Sequence, residues 1–289
     1  MNIKKPLYKA YQMEEFLDII FFHPLGLAIA KIARKLRLMP NQITYVSMFV
    51  GIVGGLMLAS IKTAYIGFGF LVLSSVLDSA DGQLARMMGN GTLKGRILDG
   101  LIGYFMFTSS YLGLTILYIS VPDNLGLKFM VPIVLAGGIN SALQSSLYDF
   151  YRTCFSQIVN GNNIPDFKLE KNIKGFLKFT YNGYFTYQKN LAKNHLNLME
   201  KLKEKFPNGK LDDKTVQIYK KSNTKIIHGW NILGDNTRLL LILSAIIFYK
   251  PHWYFFFILG PLNAVMFFLI LRQRVVDKKF SESLRENIK

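Results

Sequence analysis

Four stretches of this chain, residues 39–61, 100–122, 129–148 and 251–271, contain no Asp, Glu, Lys or Arg. Each approaches or exceeds the ~20 residues that an apolar helix needs to cross a bilayer. Two further segments, 63–87 and 226–249, are long enough but carry charges at one end. In lipid every backbone N–H and C=O must be satisfied inside the segment, and that selects helices. The reading is an all-α integral membrane protein with six transmembrane helices.

A net charge of +17 would suggest nucleic acid in a soluble protein. Here the basic residues lie between and beside apolar runs, so nucleic acid is not the partner; they fit positive-inside topology and attraction to anionic headgroups. Lys62, Lys128 and Lys250 are the only basic residues in the links between spans one and two, three and four, and five and six. Both termini are then cytoplasmic. Cys154 is the single cysteine, and the four histidines lack metal-ligand spacing, which excludes a disulfide framework or a zinc site. The N-terminus has no apolar core before its acidic residues and is not a signal peptide.

Residues 77–103 read LDSADGQLARMMGNGTLKGRILDGLIG and bring Asp78, Asp81 and Asp99 into this apolar setting. Ionisable groups at membrane depth mark a cavity or a bound ion. Asp78, Asp81, Gly82 and Ala85 fall at i, i+3, i+4 and i+7, on one helical face with small residues beside the carboxylates. Gly95, Asp99 and Gly103 form a second stripe. If the two helices are antiparallel neighbours, the three carboxylates converge. Crowded anionic oxygens need a cation, and hard ligands suit magnesium, manganese or calcium rather than zinc. A nucleotide diphosphate would supply the remaining oxygens.

The order D-x2-D-G-x2-A-R-x8-G-x3-D, held by Asp78, Asp81, Gly82, Ala85, Arg86, Gly95 and Asp99, strongly resembles that of the CDP-alcohol phosphotransferases. A second mark is Pro40-Asn41-Gln42-Ile43-Thr44, similar to the family's P-N-x-[IL]-T, where the asparagine contacts the nucleotide. From the residues alone, Pro40 presets the opening turn and Asn41 or Thr44 caps the helix. The resemblance covers roughly residues 20–150.

Five regions are expected. Residues 1–38 are a cytoplasmic N-terminus with an interfacial amphipathic helix, with Leu25, Ala28, Ile29, Ile32 and Leu36 on one side and Lys31, Arg34 and Lys35 on the other. Residues 39–152 hold spans one to four and the motif, with Gly51, Gly54 and Gly55 for close packing. Residues 153–225 are a basic cytoplasmic insertion with a helix at 190–206 presenting Leu191, His195, Leu198 and Leu202, stopped by Phe206-Pro207-Asn208-Gly209. This insertion could bind an acceptor, act as a lid, mediate dimer contact, or simply be solvated. Residues 226–272 hold spans five and six, where Pro261 and Asn263 suggest a kink with a polar helix contact. Residues 273–289 are a basic tail. Asp235 and Arg238, at i and i+3, neutralise each other or serve a site.

The resemblance implies a membrane-embedded enzyme that moves a phosphate-linked group from a CDP-alcohol to an acceptor and releases CMP, in phospholipid or related glycoconjugate synthesis. One or two Mg2+ or Mn2+ ions are implied, held by Asp78, Asp81 and Asp99. Asn41, Asp81, Gly82, Ala85, Arg86 and Gly95 would contact the nucleotide. The active site faces the cytoplasm, and homodimers are usual in the family.

The family pattern continues to a fourth aspartate, its presumed base, where this chain has Gly103. Losing a general base typically costs about 10²–10⁴ in rate. Three readings follow: an acceptor already anionic, such as a phosphate, phosphonate or carboxylate; a substitute base, with Asp235 first and Tyr104 or His228 behind it; or CDP-lipid binding without turnover. In the second of these Asp235 joins Asp99 as a catalytic residue, while Arg238 holds an acceptor or lipid phosphate. Against the transferase stand a CDP-lipid-binding scaffold protein and a small ion-coupled transporter, which finds no inverted repeat to support it.

Overall fold

The computed structural model describes residues 13–89, 93–122, 124, 126–165 and 190–286, with the backbone alone for 93–102 and 285–286. Every named element among them is helical. Among the described residues, three helical runs are long and apolar enough to cross a membrane: Ile61–Met88, Leu127–Gly161 and His252–Leu284. The chain folds as two units, residues 1–138 with 235–259, and residues 139–234 with 260–289.

The first unit opens with a short π-helical turn, Asp18–Phe22, running into α1, His23–Lys35. Pro24 sits in the first turn of α1, where a missing N–H costs nothing. The face of α1 that packs is not the leucine side but the small one. Ala30 and Ala33 are buried with Ile43, Ala80 and Leu84, while Leu25, Ile32 and Leu36 stay exposed at 43%, 60% and 65%.

Helix α2, Pro40–Met57, starts at the expected proline but is capped differently from the sequence reading. Gln42 reaches back so that its Oε1 accepts the Met39 N–H at 2.8 Å, and the Thr44 hydroxyl donates to the Pro40 carbonyl at 2.9 Å. A glutamine at the third helical position thus satisfies the Met39 N–H, where Asn41 or Thr44 was the expected cap. Asn41 is left exposed.

Helix α3, Ile61–Met88, lies against α2 through small residues. The Ser47 hydroxyl donates to the Ser74 carbonyl and the Ser74 hydroxyl to the Ser47 carbonyl, both at 2.8 Å. In hydrocarbon such reciprocal bonds replace water for groups that would otherwise carry a desolvation cost. A Cβ on Gly54 would lie 2.8 Å from the Gly67 carbonyl oxygen, so only glycine lets the two backbones come this close. Gly89, at φ 68°, ends α3 in a left-handed cap. Helix α4 follows at Leu93–Ile119 and also packs on α2.

Helix α5, Leu127–Gly161, spans the boundary in sequence between the units. In the second unit, the expected basic insertion begins inside α5 and its later described residues form α6, Lys193–Lys205, and most of α7, Asp213–Trp230. They are not a solvated arm. His195, Leu198, Met199 and Leu202 of α6 are buried, and Gly209 at φ 69° makes the expected stop.

The expected span 226–249 is broken. A 3-10 turn, Asn231–Leu233, ends in extended Gly234, and a separate helix α8, Asp235–Ile247, has 13 residues. At 1.5 Å per residue that is about 20 Å, short of the ~30 Å hydrocarbon core.

After α9, His252–Phe257, the helix widens into a π-helical stretch, Ile258–Leu262, that absorbs Pro261. It continues as α10, Asn263–Glu286. Within the second unit, Asn263 donates to Asn140 Oδ1 at 2.7 Å and accepts from Gln144 Nε2 at 2.9 Å, the polar contact expected at the kink.

Buried polar groups also tie α10 to α6 and α7. Asp277 meets His195 Nδ1 at 2.8 Å, Tyr219 Oη lies 3.3 Å from His195 Nε2, and Gln273 Nε2 donates to Asp277 and Asn223, both at 2.9 Å. Burial pushes the Tyr219 phenol well above its usual range, and the neighbouring Cys154 and Asp277 push it further. Among apolar neighbours a satisfied network of this kind specifies one packing.

Candidate functional site

The C-terminal half of α3 carries Asp78, Asp81, Gly82, Ala85 and Arg86 on one continuous helix. Asp78 is half-buried, Asp81 is 6% exposed, and Arg86 projects outward. Gly82 leaves space beside the carboxylates: a Cβ there would meet nothing nearer than an Arg86 guanidinium nitrogen at 3.6 Å. Two carboxylates one turn apart, one of them buried, are a hard-oxygen donor pair suited to magnesium or manganese. By residue type and spacing the pair fits the implied ion.

Gly95 and Asp99 lie on the backbone of α4, and their side chains are outside the described residues. The side chains of Lys94 and Arg96 on the same turn of α4 also lie outside the described residues. Gly103 is described, and a Cβ on it would meet no heavy atom within 4 Å. Among the described residues, then, the space beside Gly103 is open. Tyr104, next to it, is 52% exposed.

Helix α8 packs on α3. Arg238 is 1% exposed, although its partner Asp235, at 3.1 Å, is 64% exposed, and the guanidinium sits 5.7 Å from the Phe107 ring centroid. This is the neutralising pair that the i, i+3 spacing suggested, with an aromatic face added. His228 is exposed and belongs to the other unit.

The histidine spacing hid a mixed set. Glu14, Asp18 and His23 each offer a ligand atom, and these atoms lie within 4.8 Å of one another. His23 Nε2 is 3.2 Å from Glu14 Oε2, and Nδ1 is 2.9 Å from Ser79 Oγ. Gln83 Nε2 donates to the His23 carbonyl at 3.0 Å and to Ser79 Oγ at 3.1 Å. From α8, Asn236 N–H donates to Glu15 at 3.2 Å and Asn236 Nδ2 to Asp18 at 3.1 Å. The usable signal was the spacing of Glu14 and Asp18 at i, i+4, with a histidine one turn further on. No pairwise spacing of histidines and cysteines could reveal it.

Comparisons with known proteins show what the segment around the motif is similar to. The family model for CDP-alcohol phosphatidyltransferase matches residues 37–146. A relative, the phosphatidylinositol phosphate synthase of Corynebacterium glutamicum, is 38% identical over 73 residues, which are 25% of this chain and 32% of the relative. The chain thus spans about a third of the length of the curated relative it matches. No solved structure matches significantly. With three apolar helices of membrane-crossing length, the chain reads as an integral membrane protein. Residues 37–146, which contain the aspartate motif, are thus similar to the CDP-alcohol phosphatidyltransferase family.

Proposed function

We propose that this protein is a membrane-embedded CDP-alcohol phosphotransferase that transfers a phosphate-linked alcohol group to an acceptor and releases CMP. The observation that carries the reading is the buried Asp81 beside Asp78 and the open Gly82 on one face of α3, inside the matched domain. The relative is named for making a phosphatidylinositol phosphate, which together with the CDP-alcohol of the family model makes a CDP-linked lipid the first donor and a phosphorylated inositol the first acceptor to try.

Asp78, Asp81 and Asp99 would hold one or two divalent ions, and Asn41, Gly82, Ala85, Arg86 and Gly95 would receive the cytidine and its phosphates. When bound, such ions neutralise charge developing on the diphosphate. An acceptor oxygen attacks the outer phosphorus as the bond to the bridging oxygen breaks, so CMP leaves with that oxygen. For a hydroxyl acceptor one proton must be taken up, and Gly103 has no group to take it. Asp235 is the first candidate base; an acceptor that is already anionic needs none. The exposed apolar side of α1, against its small packed side, supports an interfacial location for that helix.

A second reading, CDP-lipid binding without turnover, is favoured by Gly103. One assay separates the two. CMP release is measured from CDP-diacylglycerol and soluble CDP-alcohols with magnesium or manganese, with inositol phosphate and a lipid extract as acceptors. Metal-dependent release that vanishes in Asp81→Asn supports transfer. Metal-dependent CDP-lipid binding with no CMP from any pairing supports the second reading.

A further inference from the structure

We propose that Glu14, Asp18 and His23 form a cation site of their own, separate from the aspartate motif, which takes a borderline divalent ion such as zinc. This inference does not rest on the transferase reading.

The donor atoms are already gathered within 4.8 Å of one another. The 3.2 Å between His23 Nε2 and Glu14 Oε2 is close to the ligand-to-ligand edge around an ion bonded at ~2.0–2.2 Å. Glu14 is 2% exposed and the His23 side chain 15%, so both are held by packing rather than sampled from solvent. The surrounding contacts are those that orient metal ligands. His23 turns Nε2 inward because Nδ1 is engaged by Ser79 Oγ at 2.9 Å, and Asp18 is fixed by the Asn236 amide at 3.1 Å. Such partners set ring orientation and carboxylate direction at metal centres.

The chemistry differs from that of the motif. Three aspartates are an all-oxygen set suited to magnesium. One imidazole with two carboxylates suits zinc or another borderline ion, with positions left for water. The set joins three parts of the first unit: Glu14 and Asp18 precede α1, His23 opens it, Ser79 lies on α3 between Asp78 and Asp81, and Asn236 lies on α8. An ion here fastens the N-terminal segment to the motif helix.

The test uses the full chain in detergent in an Asp81→Asn background, which weakens the motif's own ion. Zinc alone is added and bound metal is counted after dialysis. The expected result is one zinc per chain, weakened at least ~10-fold by His23→Gln or Glu14→Gln and by about 10–100-fold in Ser79→Ala, which keeps every ligand. X-ray absorption at the zinc edge is expected to show one imidazole among oxygen neighbours, a readout that needs no change to the ligands. Substoichiometric zinc in the Asp81→Asn protein, zinc indifferent to His23→Gln in monodisperse protein, or a spectrum without imidazole overturns the proposal.

Discussion

His23 Nδ1 and Ser79 Oγ lie 2.9 Å apart, which ties the first helix to the motif helix at the residue following Asp78. Ser79 also accepts from Gln83, so one hydroxyl serves two partners. Ser79→Ala is expected to lower stability by about 0.5–1.5 kcal/mol per bond lost, and Ser79→Thr by less. Thermal unfolding in detergent checks the order of the two variants.

Gly103 offers the most direct functional variant. With no heavy atom within 4 Å of an added Cβ, Gly103→Asp fits without displacing a neighbour. If the acceptor is a hydroxyl and no other group serves as base, CMP release rises by a large part of the about 10²–10⁴ that a general base contributes. An unchanged rate points to an anionic acceptor or a substitute base.

Asp235 and Arg238 separate stability from catalysis. Asp235 is largely exposed, so Asp235→Asn is expected to cost no more than about 1 kcal/mol. Arg238→Ala empties a buried volume beside Phe107 and is expected to cost about 2–5 kcal/mol, by analogy with other large-to-small changes. If Asp235→Asn keeps full CMP release, Asp235 is not the base.

Asp212 caps α7 by accepting the Thr215 N–H at 3.0 Å. The hydrogen bonds from Thr215 hold its carboxyl below the ordinary value. A carboxyl depressed by folding stabilises fully above its unfolded pKa, about 3.9, and the stabilisation fades as pH falls through the folded value. Asp212→Ala is therefore expected to cost about 0.5–2 kcal/mol near neutrality, with the difference from the parent shrinking below about pH 4. Unfolding followed at the two pH values tests the sign.

The His195–Asp277 pair is buried from both sides. Asp277→Ala leaves an imidazole nitrogen and the Gln273 amide without that acceptor, at about 1–3 kcal/mol for each orphaned group. Asp277→Asn keeps an acceptor oxygen and is expected to cost less. Limited proteolysis of the 190–230 region reads the difference.

Much of this was legible in the chain because it rests on local rules. The motif stripe on α3 follows from 3.6-residue periodicity, the π-helical stretch from Pro261, and the α6 stop from Asn208-Gly209. What was hidden depends on long-range neighbours. Asn41 was the natural cap by residue type, but Gln42 takes that role because its longer side chain reaches Met39. The leucines of α1 stay exposed, as an interfacial helix requires, but that Ala30 and Ala33 form the side packed on α3 depends on neighbours the local pattern does not name. The break at 231–234 coincides with Asn231 and Gly234-Asp235-Asn236, turn-forming residues that the length of the apolar segment outweighed in the span count. Glu14, Asp18 and His23 are close in sequence, but the partners of His23 and Asp18, Ser79 and Asn236, come from α3 and α8.

The interleaving of the two units limits how the chain can be dissected. The matched domain stops at residue 146, but the first unit is completed by residues 235–259, which return after a long excursion through the other unit. A fragment cut at 146 would leave Phe107 without the Arg238 guanidinium and Glu15 and Asp18 without Asn236. A minimal version of this domain is therefore not a truncation but a splice, in which 235–259 must be carried along and rejoined.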